Sequence, residues 1–437
     1  MKSFLYIILI LSATIGRSQQ YAANSPEGFG AAATGGGNAD PTTVSTYTEF
    51  KNAIKSSGPG VILVSGIISI PTGQSISEIV IDKTILGLPG ATLINPSQTK
   101  SGSGILNLKQ GSRNVIIRNL IFEGAGAYDI DGRDNLTSDG CTDLWVDHCE
   151  FRDGVDGNFD IKGLSDNVTV SWCKFIYLKP PTPGGSGGSD DHRFSNLIGS
   201  SDSDAPVDGH YSVTFQNCYW AEGCRERMPR ARNAQLHIFN CLYSTDVSSS
   251  RAIGISGGDN TSSCLVEKTD FESVGTVYRS YGGTVAINFE DCLGGRSNIG
   301  QVSAPNYTYT SFPVADVSAI LKDEECGAGA TLSISNSGMI SSKCSTLGNG
   351  DINSPKFKIY PTIIESLLTI ELVDLDLKGS SLSIFSLDGK KIYSNANLEK
   401  EGGKIQVDFV QQPPGVYLCQ FSNKEKVQTF KVINRPQ

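Results

Sequence analysis

The sequence predicts an all-β chain, a β-helix followed by a small β-sandwich. Three observations predict it. An eight-residue strand pattern recurs at regular intervals through the middle of the chain. Glycine is abundant, 48 of 437 residues, while charged residues make up only 19%, a balance that favours strands and turns over helices. Beyond residue 355, short alternating segments follow one another at even spacing.

The recurring segments are "VIIRNLIF" (115–122), "LWVDHCEF" (144–151), "VTVSWCKF" (168–175), "VTFQNCYW" (213–220) and "LHIFNCLY" (236–243). Two weaker copies follow, "CLVEKTDF" (264–271) and "INFEDCLG" (287–294). Each opens with the period-2 alternation of a strand that buries one face. Successive copies end 29, 24, 45, 23, 28 and 23 residues apart. The 45-residue step is either two turns or one turn carrying a long insertion. Self-similarity at this period marks a solenoid, and strand-rich repeats mark a β-helix. A leucine-rich repeat is excluded, because its Leu/Asn consensus is absent. The sixth position of each copy reads Leu120, Cys149, Cys173, Cys218, Cys241, Thr269 and Cys292. Stacked turns bring one position round about every 4.8 Å, so five cysteines form a ladder. Inward free thiols behave as small hydrophobes, and parallel Cβ vectors suit disulfides poorly. The preceding residues, Asn119, His148, Trp172, Asn217 and Asn240, are expected at a bend, and His148 is read as a bend residue rather than a catalytic one.

From the N-terminus, "MKSFLYIILILSATIG" has one lysine and then a short apolar run. It reads as a secretory signal peptide over residues 1–20, cleaved near Ser18 to Gln20 and too short for a membrane span. No later segment has the length and apolarity to span a bilayer. An exported, soluble monomer is expected. The β-helix is assigned to residues 21–331 and a polar Ser/Gly/Asn linker to 332–355. Six short strand patterns, with a hairpin turn at Asp388-Gly389, place the β-sandwich at 356–437. Within the β-helix, residues 179–211 form a Gly/Pro/Ser loop too long for a plain turn, as functional loops often are.

Charge is distributed unevenly. The chain carries a formal net charge of −9, yet "RERMPRAR" (225–232) places Arg225, Arg227, Arg230 and Arg232 in eight positions. A nucleic-acid reader would carry a broad basic footprint, which is missing. Acidic residues gather between 129 and 160, in "YDIDGRDNLTSDG" and "DGVDGNFDIKG". On a strand, Asp156 and Asp160 would share one face, as would Asp129 and Asp131. Several hard oxygen ligands at one point suit Ca²⁺, and no His/Cys spacing suggests zinc; equally, Asp and Gly here could simply make turns. A metal site beside an arginine cluster points to an acidic substrate such as a uronic-acid polymer. The accessible chemistry is β-elimination, in which a base removes the proton α to the uronate carboxylate.

Residues 25 to 331 resemble the pectate lyases of the first polysaccharide lyase family. The stretches that carry the resemblance are "PEGFGAAATGGG", "KTILGLPGATL", "IIRNLIFEGAGAYDIDG", "LWVDHCEF", "DGNFDIKGLSDNVTVSWCKF", "LIGSSDSD" and "RMPRARNAQLHIFNCLY". The resemblance implies a right-handed single-stranded parallel β-helix and calcium-assisted cleavage of de-esterified homogalacturonan to 4,5-unsaturated oligogalacturonides. It implies that Arg227 is the proton-abstracting arginine and Arg232 a carboxylate-binding one. It implies Asp156 and Asp160 as calcium ligands, joined by Asp129 and Asp131 or by Asp131 with Asp134, the first pair being preferred. A substrate-holding cation falls at Lys179 counting forward or Arg193 counting back. The last 80 or so residues resemble the C-terminal sorting domains of type IX secretion substrates, through "KIYP", "LDGKKIY" and "GVYLCQF". That implies secretion machinery as a partner and an extracellular or surface-attached product. "YPTIIES" departs from the usual Pro-Asn-Pro of those domains.

Three rivals remain open. A pectin lyase would share the fold, act on methyl-esterified chains and lack the acidic ligands. A polygalacturonase would rely on paired carboxylic acids and have no need of the arginines. A non-catalytic glycan-binding β-solenoid is also compatible with the fold.

Overall fold

The computed structural model describes residues 25–341 and, beyond them, 356–360, 363–364, 366–373, 381–386, 390–395, 404–422 and 427–435. The expected signal peptide, residues 342–355 of the expected linker and the Asp388-Gly389 turn lie outside the described residues. The chain divides into two units, Met1–Gly348 and Asn349–Gln437.

The first unit is an all-β parallel solenoid. Three parallel sheets of ten, eight and eight strands run along it, and each full turn adds one strand to each sheet. The recurring segments stack in the register their alignment implies. Val115, Leu144, Val168, Val213, Leu236, Cys264 and Ile287, the first residue of each copy, are Cα partners in sequence. Because Val168 pairs directly with Val213, the 45-residue step is one turn carrying an insertion. All seven side chains are buried in one apolar core. Full burial of each such residue contributes on the order of 1.5–3 kcal/mol.

Local backbone chemistry sets the corners. Asn119, His148, Trp172, Asn217 and Asn240 all have positive φ, between 45° and 58°. Asparagine tolerates that left-handed region best. His148, with φ 45°, is a corner residue whose ring stacks on Trp172 at 5.4 Å between centroids. The next position holds the thiols. Cys149, Cys173, Cys218, Cys241 and Cys292 are free, and each Sγ contacts a carbonyl one turn back, such as Cys173 to Val146 and Cys218 to Val170. Two positions further, Phe122, Phe151, Phe175, Trp220, Tyr243 and Phe271 form a continuous aromatic stack, each centroid 4.5–5.6 Å from the next.

A solenoid end must cover its open apolar core. Here helix α1 (Tyr47–Ile54) does so, started by a Thr46/Glu49 capping box and burying Phe50 and Ile54. The expected linker is corrected over residues 332–341. Ser333–Ile334 and Ile340–Ser341 form an antiparallel hairpin, and Leu332 and Ile334 pack on Leu63, Leu86 and Leu88. Asn119 adds a reciprocal pair of hydrogen bonds to the Leu332 backbone.

In the second unit the described strands form a three-stranded and a five-stranded sheet. Leu368, Ile370 and Val407 of the smaller sheet share one apolar cluster with Leu382, Ile384, Cys419 and Val432 of the larger. Among the described residues no helix is long and apolar enough to cross a membrane.

Candidate active site

The site lies on the outer face of one eight-stranded sheet. Its strands are β1 (Ile76–Glu78), β2 (Leu106–Leu108), β3 (Leu136–Asp139), β4 (Phe159–Lys162), β5 (Leu197–Ile198), β6 (Arg230–Ala231), β7 (Arg251–Ile255) and β8 (Thr276–Ser280). In β4, Phe159 and Ile161 are buried in the solenoid core, so alternation turns Asp160 and Lys162 outward. Thr137 of β3 is the partner of Asp160, and Ile161 of Ile198 in β5. An open cleft of about 1220 Å³ follows this face, lined among others by Asp134, Asp156, Asp160, Lys162, Phe194 and Arg227.

Asp134, Asp156 and Asp160 all line the cleft. Asp160 is 7% exposed and accepts a 2.9 Å hydrogen bond from the Leu197 amide. Asp134, also buried, accepts from Thr137 Oγ1 at 3.2 Å through Oδ2, while its Oδ1 has no partner. Asp156 accepts from His192 Nδ1 at 2.9 Å. Gly157 leaves the space between them. A Cβ there would stand 2.6 Å from Asp134 Oδ1 and 3.4 Å from Asp160 Oδ1. Burial, then the charges of Asp160 and Asp156, push the Asp134 carboxyl well above the usual range. Burial raises Asp160 as well, with Arg227 and the Leu197 amide opposing and Asp156 reinforcing the rise.

Those features fit a hard cation held by oxygens, because an unpartnered buried carboxylate oxygen and mutually repelling neighbours are what such a cation relieves. The side chains are not gathered to a ligand point as they stand. Among the described residues no three His, Cys, Asp or Glu groups form a metal-ligand cluster, and Asp156 is turned to His192.

The preferred pair Asp129 and Asp131 does not come together on one face. Residues 129–131 are bends rather than a strand, so two-residue alternation does not apply. Asp129 is buried against the inserted loop, 3.3 Å from the Ser189 amide and 3.6 Å from His192 Nε2. Asp131 is exposed at the cleft's rim and bonded to Lys100 at 2.6 Å, which holds its carboxyl below the usual range. Asp134, the alternative partner, lines the cleft beside Asp160. The two candidate substrate-holding cations each have partners of their own. Lys179 donates to Gly124 O at 2.9 Å and lies 3.7 Å from Glu123 and from Asp153. Arg193 forks onto Asp191 at 2.9 and 2.8 Å. Neither lines the cleft, and Lys162 does. The alternation of "FDIK" put Lys162 beside Asp160 and was the signal available in the sequence. The buried His192 and Phe194 had no comparable signal.

The arginines separate by their partners. Arg225 is spent on Glu226 at 3.2 Å and Asp191 at 3.7 Å. Arg232 is 3.2 Å from Asp202 and donates to Gly199 O at 2.7 Å, outside the cleft lining. Arg227 has φ 59°, which is uncommon for a bulky residue and costs about 1–3 kcal/mol. Its guanidinium lies 4.1 Å from the Phe194 ring centroid. Among the described residues no carboxylate forms a salt bridge with it, although it lines the cleft with Asp134 and Asp160.

Comparison with known proteins bears on both units. Residues 3–310 match the family model described as pectate lyase, and residues 358–435 the model described as secretion system C-terminal sorting domain. The chain is 32% identical over 259 residues to a pectate trisaccharide-lyase of Thermotoga maritima, covering 55% of this chain and 63% of that protein. It is 30% identical over 297 residues to pectate lyase plyB of Emericella nidulans, covering 66% and 80%. The chain thus spans about 63% of the length of the Thermotoga proteins it matches. Among solved structures, a pectate lyase from a Bacillus species in complex with trigalacturonate superposes with a TM-score of 0.53 at 20% identity, covering 70% of this chain and 99% of that one. A pectate lyase from Acidovorax avenae superposes with a TM-score of 0.53 at 15% identity, over 75% and 99%. At these identities the superpositions speak for the fold.

Proposed function

The chain belongs to the pectate lyase family, and on that premise we propose that it is a secreted pectate lyase. It cleaves de-esterified homogalacturonan by calcium-assisted β-elimination. The observation that carries the proposal is Arg227, a cleft arginine with no carboxylate salt bridge among the described residues, facing the buried carboxylates Asp134 and Asp160.

Asp134, Asp156 and Asp160 would hold the cation. Bound Ca²⁺ would supply positive charge against which a uronate carboxylate can bind and enolate charge can develop. Arg227 takes the proton from the carbon next to the carboxylate, electrons move into the C4–C5 bond, and the 4-linked sugar leaves on its oxygen. The leaving oxygen is protonated by solvent water, and Arg227 returns its proton to solvent. A guanidinium normally stays protonated, so a base in this position depends on surrounding positive charge. Lys162 and Arg230 are in place to contribute it. Arg232 is assigned to a substrate carboxylate, because its partner Asp202 is 70% exposed and such surface pairs are weak enough to exchange. The C-terminal unit, read as a small β-sandwich, is assigned to type IX secretion and to an extracellular or surface-attached product.

The test uses polygalacturonate and its methyl ester, following both unsaturated product and new reducing ends. Unsaturated product from the acid form supports the proposal. Reducing ends without unsaturation would mean hydrolysis, and cleavage of the ester alone would mean a pectin lyase.

A further inference from the structure

The outward row that holds Asp160 continues past the cleft. Leu197 of β5 is the partner of Arg230 in β6, Arg230 of Gly254 in β7, and Gly254 of Arg279 in β8. Strands about 4.8 Å apart put Arg279 roughly 10 Å beyond Arg230 and about 19 Å beyond Asp160. Both arginines lie against the half-buried ring of Tyr281. Arg230 is 4.1 Å and Arg279 5.1 Å from its centroid. Gly254 admits the ring, since a Cβ there would fall 2.7 Å from Tyr281 Cε2.

Two guanidiniums on one ring should be neutralised in a chain with 45 acidic residues. They are not. Among the described residues neither Arg230 nor Arg279 forms a salt bridge, and the buried Arg230 Nε has no hydrogen-bond partner. Burial first, then Arg232, weakens the hold of Arg230 on its proton. An aromatic face can order two such cations without using their N–H donors, and a planar guanidinium offers those donors in the fork geometry that carboxylates match.

We infer that Arg230, Tyr281 and Arg279 form a further carboxylate-binding subsite, taking a uronate residue of the chain downstream of Arg227. The inference rests on the proposed action on uronate polymers and extends it along the same sheet. Tyr281 acts as a positioning residue, and the two arginines bind. The subsite distinguishes an acid from its methyl ester, which cannot accept a charge-assisted fork.

Binding of hexagalacturonate and of its methyl ester to the full chain, measured by calorimetry in chelator, tests it without turnover. Cleavage of polygalacturonate in calcium is measured in parallel. Arg279→Ala and Tyr281→Leu are expected to weaken hexagalacturonate binding about tenfold, to leave methyl-ester binding unchanged, and to raise KM more than they lower kcat. Gly254→Ala, which displaces the ring without removing a donor, is expected to act in the same direction, and Tyr281→Phe to match the parent. Arg279 is exposed, so its removal is not expected to unfold the chain. Active protein with unchanged hexagalacturonate binding and KM in Arg279→Ala and Tyr281→Leu would overturn the subsite and leave the lyase standing. A protein that fails to cleave but loses binding in those variants would keep the subsite and remove the lyase. Failure to bind hexagalacturonate in chelator, with cleavage retained in calcium, would overturn the subsite alone, and failure both to bind and to cleave would overturn both.

Discussion

Phe194 and Arg227 are packed ring to guanidinium at 4.1 Å, and the ring in turn lies 5.0 Å from His192, which holds Asp156. The proposed base and one proposed cation ligand are therefore braced by neighbouring residues of one inserted loop. Phe194→Leu keeps bulk and loses the cation–π contact. It is expected to lower kcat roughly tenfold, the value of such a contact in a partly desolvated site, with a smaller change in KM. An unchanged kcat would show that the ring does not position Arg227.

The ligand assignment separates two neighbours in the sequence. Asp134→Asn and Asp160→Asn are expected to weaken calcium binding, measured by calorimetry, by about tenfold or more each, because each removes a carboxylate from the buried cluster. Asp131→Asn is expected to bind calcium like the parent, since Asp131 is committed to Lys100 at the rim. The reverse order would restore Asp131 as a ligand.

Asp147 carries a stability prediction. It accepts hydrogen bonds from Arg118 Nε at 2.8 Å, His148 Nδ1 at 2.8 Å and Ser171 Oγ at 2.6 Å. Burial alone would raise its carboxyl, but His148 and Arg118 hold it down to about 2. The unfolded value is near 3.9, so the folded form is favoured above that pH. The stabilisation, roughly 2–3 kcal/mol, disappears as pH falls from about 4 toward 2. Asp147→Asn should lack that slope in urea denaturation and be less stable at neutral pH by about 3 kcal/mol, because Arg118 is left buried without its partner. A parallel pH profile in both proteins would rule the network out as its source.

The thiol ladder predicts inertness. Burial and neighbouring thiols raise Cys173 and Cys241 well above the ordinary thiol range. In the native protein Cys149, Cys173, Cys218 and Cys241 should resist alkylation that modifies them readily once denatured. Fast modification in the native state would mean that the solenoid opens locally.

The solenoid was legible because its repeat is written in positions that face one core. The first residues of the copies, the cysteines and the corner asparagines all fell into register. The arginine cluster and the Asp156/Asp160 stretch stood out by composition, but of those two carboxylates only Asp160 lies on a strand, and Asp156 sits in a bend before it. Asp129 and Asp131 do not share a face because their segment bends, and bent backbone carries no two-residue period. Lys179 and Arg193 stayed alternatives because counting across the 179–211 insertion cannot say which cation reaches the cleft. The roles of His192 and Phe194 follow from how that insertion folds back, which no local pattern encodes. The hairpin at 332–341 depends on Leu332 and Ile334 finding partners more than 240 residues away.

The most direct measurement is ultraviolet absorbance of unsaturated product from polygalacturonate, for the full chain and for Arg227→Ala, each with calcium and with chelator. The account predicts absorbance only for the parent in calcium, and a loss of about 10²–10⁴-fold in the folded variant, the usual contribution of a general base. Parent activity that survives in folded Arg227→Ala would contradict it.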